Sequence, residues 1–459
     1  MQHERFVQEH RPNARPAPVN SPSRQLVASG ASLSRRRFLQ RSTVAAATSA
    51  LALEWPAVVT SGAAPEDPIR VGLIGCGARG LGAARDALKA APNVRVVALA
   101  DVFEDPLQRA CADLAEASQL IPPDRCFVGF EAYQKLVSLP EVNYIIHATP
   151  PGFRPAHLRA IIEAGKHCFL EMPVAVDPAG ARSVIASGER AAQKRLCLGV
   201  GSQRRHQDNY RETVKRLQDG ALGELLAGRV YGNTQGEADL NKPASVTDME
   251  WQLRHWPGYA WLSGDPYVAQ HVHQLDVLNW ILRAHPVKAS GLGGRQVRTL
   301  GHVYDHFAVE YQYAGGALLF SYTRQTNGCE MDVSEAVVGT RGASDCFQAL
   351  EVRGSAPWKF HQPTTVTAGA RGDGGTNNGY VQEQADLVRA IRAGQPINEA
   401  RTGAESTLTA VMGREAAYSG QPVEWDQVCR AKLDLSPARI EMGDLPVPAV
   451  PMPGKYAFF

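Results

Sequence analysis

The stretch Pro68–Leu88, PIRVGLIGCGARGLGAARDAL, limits what this chain can fold into more than any other. An apolar run, Ile69 to Ile74, leads into Gly75-x-Gly77-x-x-Gly80 and then into a helix-like segment. Three glycines at that spacing mean little alone. Between a strand and a helix they form the phosphate-binding turn of a dinucleotide fold. Gly75 permits the tight turn, Gly77 lets the backbone approach a pyrophosphate, and Gly80 lets helix and strand pack closely. Ala78 and Arg79 open the helix, whose N-terminus offers N–H groups and the positive end of its dipole to an anion.

A second strand, VRVVALAD, ends on Asp101, about twenty residues past the last glycine, where an acid grips the adenine ribose hydroxyls. Val102 and Phe103 offer no cation for a 2′-phosphate, so NAD is favoured over NADP. The competing reading is a Gly-rich turn in another α/β protein, with Asp101 as a helix cap. It must treat three glycines and a spaced acid as coincidence. Further on, VNYIIHATP reads as a buried strand ending in a loop, and PAHLRAIIEAGKHCFLEMPV as a helix, a stop at Gly165 and another strand. Alternating strands and helices give an α/β class with a doubly wound parallel sheet, the Rossmann arrangement. Loops at the carboxyl ends of its strands line the nucleotide crevice. That places Thr149, Pro150, Glu171 and Met172 beside the cofactor, with His157 on the intervening helix.

With 459 residues the chain has room for two or three domains. Its net charge of +2 gives no reason to expect nucleic acid or an anionic membrane as partner. The eight cysteines form no CxxC pair and no zinc spacing, so no metal site is expected and they read as small buried hydrophobes. Residues 1–66 read as an address. A polar stretch, 1–33, precedes SRRRFLQRSTVAAATSALAL, with Arg35-Arg36 ahead of a short Ala-rich run and small residues at Ser61 to Ala64. This is the plan of a twin-arginine export signal cleaved near Ala64, which implies a periplasmic or otherwise exported protein. A basic amphipathic helix or a membrane anchor is the alternative, but the run is too short and weakly apolar for a stable span. The twin-arginine machinery carries folded cargo, so any nucleotide is loaded before export.

Several blocks now coincide: GLIGCGARG, HATP, AGKHCFLEMPVAV, DGALGELLAGRVYG and the closing stretch Tyr380 to Trp425. Together they resemble the Gfo/Idh/MocA family, named for glucose-fructose oxidoreductase and inositol dehydrogenase. GSQRRH and HVHQLDVLNW resemble its exported members. The resemblance implies a Rossmann domain, 67–195, and a C-terminal α+β domain, 196–380, with an open, mostly antiparallel sheet whose face often builds a homodimer or homotetramer. A helical segment, 381–425, packs back on the first domain and a tail, 426–459, follows. The residues agree: β-rich runs with Gly turns follow Gly220, and Phe307–Tyr313 with Ala317–Thr323 reads as a hairpin.

The resemblance also implies chemistry, from which this chain departs twice. The family's Glu-Lys-Pro lysine is Met172, and its Asp-x-x-x-His carboxylate is Ala269, with the histidine retained as His273. A thioether cannot donate a charged hydrogen bond and a methyl cannot accept a proton. A histidine, His273 or His271, is therefore expected as acid/base, since imidazole suits removal of a hydroxyl proton. The two share a face if the stretch is extended and diverge if it is helical; both also read as helix-start residues packed at an interface. Arg204, Arg205 and His206 stand at a strand-to-helix junction, where forked guanidinium groups suit sugar hydroxyls or a carboxylate, or form a solvated helix start. The aromatic run Trp251 to Tyr267 is read mainly as packing rather than as a glycan wall, and Asp305-His306 as structural. An exported enzyme has no nucleotide pool to recycle its cofactor. The expectation is tightly held NAD in a redox-neutral cycle on a sugar, glycoside or polyol: coupled oxidation and reduction, or transient oxidation with elimination, as in NAD-dependent glycosidases. The alternatives are a conventional NAD-dependent sugar or polyol dehydrogenase and a catalytically degenerate binding relative.

Overall fold

Two sheets and one long helix between them organise the protein. The computed structural model describes residues 67–237, 240–362 and 377–458, so the leader and its export signal lie outside the described residues. The first sheet is parallel, in the order β3-β2-β1-β4-β5-β6. Its strands are β1 (Ile69–Ile74), β2 (Val94–Asp101), β3 (Cys126–Val128), β4 (Tyr144–His147), β5 (His167–Leu170) and β6 (Leu198–Val200). The apolar runs of β1, β4, β5 and β6 are buried on both faces, as a helix-covered parallel sheet requires, while the edge strand β3 is half-exposed. Between them lie α1 (Ala78–Ala90), α2 (Glu104–Glu116), α3 (Ala132–Val137), α4 (Arg154–Glu163) and α5 (Pro178–Gln193). Helix α1 buries only Gly80 and alanines, and so lies close against the sheet. Helix α5 starts where Asp177 accepts the Gly180 N–H at 2.7 Å, with Pro178 as its first residue.

Helix α6 (Asp208–Gln218) leads into the second sheet, whose order is β14-β13-β12-β11-β7-β10-β9-β8-β15. Its long strands are β7 (Leu225–Thr234), β8 (Pro286–Gly294), β9 (His306–Tyr313), β10 (Leu318–Gln325) and β11 (Asp332–Gly339). The short ones are β12 (Gly342–Ser344), β13 (Ala349–Val352), β14 (Trp358–Lys359) and β15 (Val423–Glu424). Only β7 and β10 pair in parallel; the rest is antiparallel. The expected hairpin forms β9 and β10, with Gly316 at φ 86° in its turn. Helices α7 (Asp248–Arg254), α8 (Ala260–Ser263), α9 (Pro266–Ala269) and α10 (Val272–Leu282) fill the connection from β7 to β8.

Two more helices join the halves. Helix α11 (Gly379–Arg392) packs on α1, and α12 (Ala400–Ser419) runs between α5 and strands β8 and β9. Helix α12 is buried almost all round, and Thr407, Thr409 and Ser419 satisfy their hydroxyls on carbonyls one turn back. Arg414 is its bolt: it pairs with Glu415 at 2.6 Å and donates to the carbonyls of Val176 (2.8 Å) and Gly264 (2.9 Å). After α13 (Trp425–Arg430) the chain runs to Phe458 as an arm without regular structure.

Candidate active site

The strand order reverses between β1 and β4, and ligands of open α/β sheets bind outside the carboxyl ends of the strands at such a point. Gly75 sits at φ 93°, and a Cβ there would lie 2.7 Å from the Ala148 carbonyl carbon. A Cβ on Gly80 would collide with the Gly75 carbonyl oxygen, whereas one on Gly77 would meet no protein atom within 4 Å. Gly80 is thus needed by the protein, and Gly77 keeps a space clear for something else. Asp101 accepts the Cys76 N–H at 2.7 Å and the Phe103 N–H at 2.9 Å, which pins its carboxylate under the glycine loop; burial raises its pKa against those bonds.

These groups open on a cleft of about 580 Å³ that is lined by Gly75, Gly77, Asp101, Thr149, Pro150 and His157 among others. His157 meets His147 at 3.1 Å, stacks on Tyr133 at 3.9 Å, and is held neutral by burial, its pKa pushed down to about 3. Thr149 Oγ1 reaches the same His147 ring at 3.0 Å. An open cradle at the helix N-terminus, a carboxylate at the end of β2 and a largely apolar wall between them fit NAD.

The remaining expected cofactor residues sit differently. Ala78 and Gly80 form the helix start beneath the cleft. Arg79 turns from the pyrophosphate position to pair with Glu171 at 2.7 Å, beneath the Tyr380 ring at 4.7 Å. Glu171 and Met172 close the end of β5 and are nearly buried. The Met172 sulfur accepts the Ser202 hydroxyl at 3.8 Å. Sequence reasoning missed Arg154, which donates from Nε to the Thr149 carbonyl (2.9 Å) and from Nη1 to the carbonyls of Glu171 (2.9 Å) and Pro173. It ties the loops after β4 and β5 together.

The catalytic candidates separate. Helix α10 begins at Val272, so His271 and His273 diverge. His271 is 1% exposed and bonded to Ser321 Oγ at 2.8 Å, with its pKa pushed down to about 3 by burial. Walled in by the sheet, it cannot reach a substrate, and the expectation of a catalytic role for it is corrected on that ground. His206 is locked on Asp386 at 2.7 Å, with Arg211 on the same carboxylate at 2.9 Å, which corrects it likewise to a structural group. Arg205 grips Asp276 through two bonds, 2.8 and 2.9 Å, and also packs inward. His273 remains: it is partly exposed on the first turn of α10, and its ring makes no hydrogen bond among the described residues. Crowding by protein, with the Arg204 charge adding, pushes its pKa down to about 4. Arg204 pairs with Glu335 at 2.6 Å and stays partly open. The aromatic run is mostly packing: Trp261 donates to Gln252 at 2.8 Å and Tyr267 is buried, but Trp256 lines the nucleotide cleft. Asp305 accepts three backbone N–H groups, from Gln296, Val297 and Arg298, and is structural as expected.

Fold and cleft define an NAD-binding oxidoreductase of two-sheet architecture. Residues 69–202 match the family model for the oxidoreductase family with an NAD-binding Rossmann fold, and residues 210–344 match the GFO/IDH/MocA C-terminal domain. The chain belongs to the Gfo/Idh/MocA family. It is similar to inositol 2-dehydrogenase of Agrobacterium fabrum, at 26% identity over 62% of this chain and 76% of that one. Inositol 2-dehydrogenase of Pseudomonas fluorescens SBW25 is 24% identical over 71% and 87%. Among solved structures, levoglucosan dehydrogenase in complex with NADH and levoglucosan superposes with a TM-score of 0.63 at 16% identity, covering 78% of this chain and all of that one. Aldose-aldose oxidoreductase from Caulobacter crescentus gives 0.61 at 17% identity, over 78% and 99%.

Proposed function

We propose that this protein is an exported enzyme that holds NAD firmly and acts on a sugar, glycoside or related polyol in a redox-neutral cycle, with His273 as acid/base. One observation carries the reading: of the three histidines expected at the catalytic site, His273 is the one whose ring makes no hydrogen bond among the described residues, while the position of the family's lysine holds Met172, whose sulfur meets Ser202. Bound NAD supplies the hydride-accepting ring. The residues that would hold it are Gly75, Gly77, Asp101, Thr149 and His157. His273, neutral above pH about 4, takes the hydroxyl proton as the carbinol C–H is broken, and Arg204 orients the substrate. The same lowering weakens the imidazole as a base and makes its protonated form the readier donor for the return step. The Arg35-Arg36 signal supports export, where retained cofactor is needed.

A second reading is favoured by the names of the curated relatives: a conventional dehydrogenase of inositol or another polyol. The test uses purified mature protein, examined for bound nucleotide absorbance and offered aryl glycosides without added NAD, then myo-inositol with NAD. Aglycone release without added NAD supports the redox-neutral cycle. NADH accumulation only with added NAD supports the dehydrogenase. His273→Ala is expected to lower either rate by at least about 100-fold; an unchanged rate removes His273 from the chemistry. Neither reaction, with ligand still bound, indicates a binding protein.

A further inference from the structure

Three distant parts of the chain meet at the adenylate end of the cleft. The loop after β2 brings Phe103, α7 brings Arg254 and Trp256 just beyond it, and the C-terminal arm brings Ile440. Connectivity does not require this, because α7 belongs to the connection between strands of the second sheet. The Arg254 guanidinium lies 4.0 Å from the centre of the Phe103 ring and pairs with Glu250 of its own helix at 2.9 Å and with Asp105, on the first turn of α2, at 3.1 Å. The arm pins α7 from outside. The Met249 N–H donates to the Gly443 carbonyl (3.0 Å), the Gln252 amide to the Leu445 carbonyl (2.6 Å), and the Leu445 N–H to Asp248 (3.2 Å). Upstream the arm is fixed where the Leu435 N–H donates to Asp177, and downstream where Tyr304 donates to the Pro451 carbonyl at 2.8 Å. Leu435, Leu445 and Trp256 share one apolar cluster with Val102 and Phe103.

We infer that α7 and the C-terminal arm form a clamp over the adenylate half of the dinucleotide, with Arg254 as a cofactor-positioning residue supplied from outside the Rossmann sheet. The inference rests on the reading of the cleft as an NAD site. A guanidinium held flat on an aromatic ring by two carboxylates at the cleft wall offers a rigid planar face that suits a purine by stacking. With the clamp closed, the nucleotide leaves only when the Arg254–Asp105 and Arg254–Phe103 contacts break. Release is therefore governed by the second half of the chain, which fits a cofactor carried through many turnovers.

The test loads full-length protein with NAD and follows release by capturing freed NAD with an added soluble dehydrogenase. Arg254→Ala is expected to release NAD at least about tenfold faster, the equivalent of about 1.4 kcal/mol, with Arg254→Lys restoring part of the retention. Ile440→Gly, which leaves α7 untouched, is expected to speed release in the same direction. The thermal midpoint of each NAD-free variant separates this from simple unfolding. Release rates equal to wild type in both Arg254→Ala and Ile440→Gly, with NAD bound normally, overturn the clamp. If wild-type protein takes up no NAD in titration calorimetry, the dinucleotide reading itself fails, and the clamp with it.

Discussion

Arg154 shapes the crevice without chemistry of its own. One buried guanidinium serves three carbonyls from two loops, and burial lowers its pKa to about 10. Arg154→Ala leaves Thr149, Glu171 and Pro173 with unpaired carbonyls, so a loss of about 3 kcal/mol in denaturant unfolding is expected, together with at least about tenfold weaker NAD binding by calorimetry. Weaker binding at unchanged stability would assign Arg154 to the ligand instead. Nothing in the sequence marks this residue, because its partners lie in loops after two different strands and only the folded sheet brings them together. Asp101 was legible because its spacing to the glycines is local. His271 shows a third case: two histidines two residues apart read alike until the helix start is known. Gly232 makes room for its ring, since a Cβ there would collide with Nδ1. Its pH signature follows from the depressed pKa. Above pH 6.5 the ring is neutral in both folded and unfolded chains. As the pH falls from 6.5 toward 3, the unfolded chain binds a proton that the folded one refuses, and stability is lost at up to about 1.4 kcal/mol per pH unit. His271→Asn is expected to flatten the slope of unfolding free energy against pH by up to that amount over the window. An unchanged slope would show that the site admits the proton.

At the scale of elements, β1, its glycine loop and α1 divide labour among the three glycines, and substitution separates their roles. Gly80→Ala forces a methyl into the Gly75 carbonyl, so helix and strand must move apart; overpacking of this kind costs about 1–3 kcal/mol or more. Gly77→Ala meets open space and should leave the melting midpoint of the NAD-free protein unchanged, yet the methyl stands where a pyrophosphate would pass. Expected outcomes are loss of stability and NAD binding for Gly80→Ala, and loss of NAD binding alone for Gly77→Ala, read by thermal unfolding and calorimetry. Equal NAD affinity in Gly77→Ala would remove the pyrophosphate from that position. These elements were readable from sequence because strand, turn and helix are contiguous and the motif is steric. Helix α12 was readable only as a closing helical segment. Buried on nearly every side, it has no polar stripe to reveal its partners. The arm over α7 left no trace beyond a tail: an irregular, Pro-rich segment carries no periodicity, and it binds α7 through its own backbone groups, which any sequence supplies.

On the scale of the whole molecule, the second sheet has one face filled by α10 and α12 and, among the described residues, one face without a covering helix. The pairing register puts Leu292, Ala308, Tyr322, Tyr231 and Ser334 in one row across strands β8, β9, β10, β7 and β11. A neighbouring row carries Ser290, Glu310, Phe320, Arg229 and Ala336, so one acid and one base flank the apolar row. Tyr231 and Tyr322 stack at 5.7 Å, and Leu292 is 67% exposed and Val338 48%. The family resemblance implied an associating sheet face, and the register shows that Leu292, Ala308, Tyr322 and Tyr231 align across four strands instead of scattering. A contiguous apolar patch of this kind marks an association surface, and a sheet face meeting its own copy buries the same patch twice, as an isologous dimer does. Self-association through this face is the expected outcome. Placing a carboxylate in its middle, as Tyr322→Glu, would desolvate like charges in the contact and cost the monomer only the stack on Tyr231. The variant should run at monomer mass in size-exclusion chromatography with light scattering and keep its melting midpoint at low concentration, whereas wild type runs at twice that mass or a higher multiple. A wild type that is monomeric, or a Tyr322→Glu variant that still associates, would place the contact elsewhere or remove it.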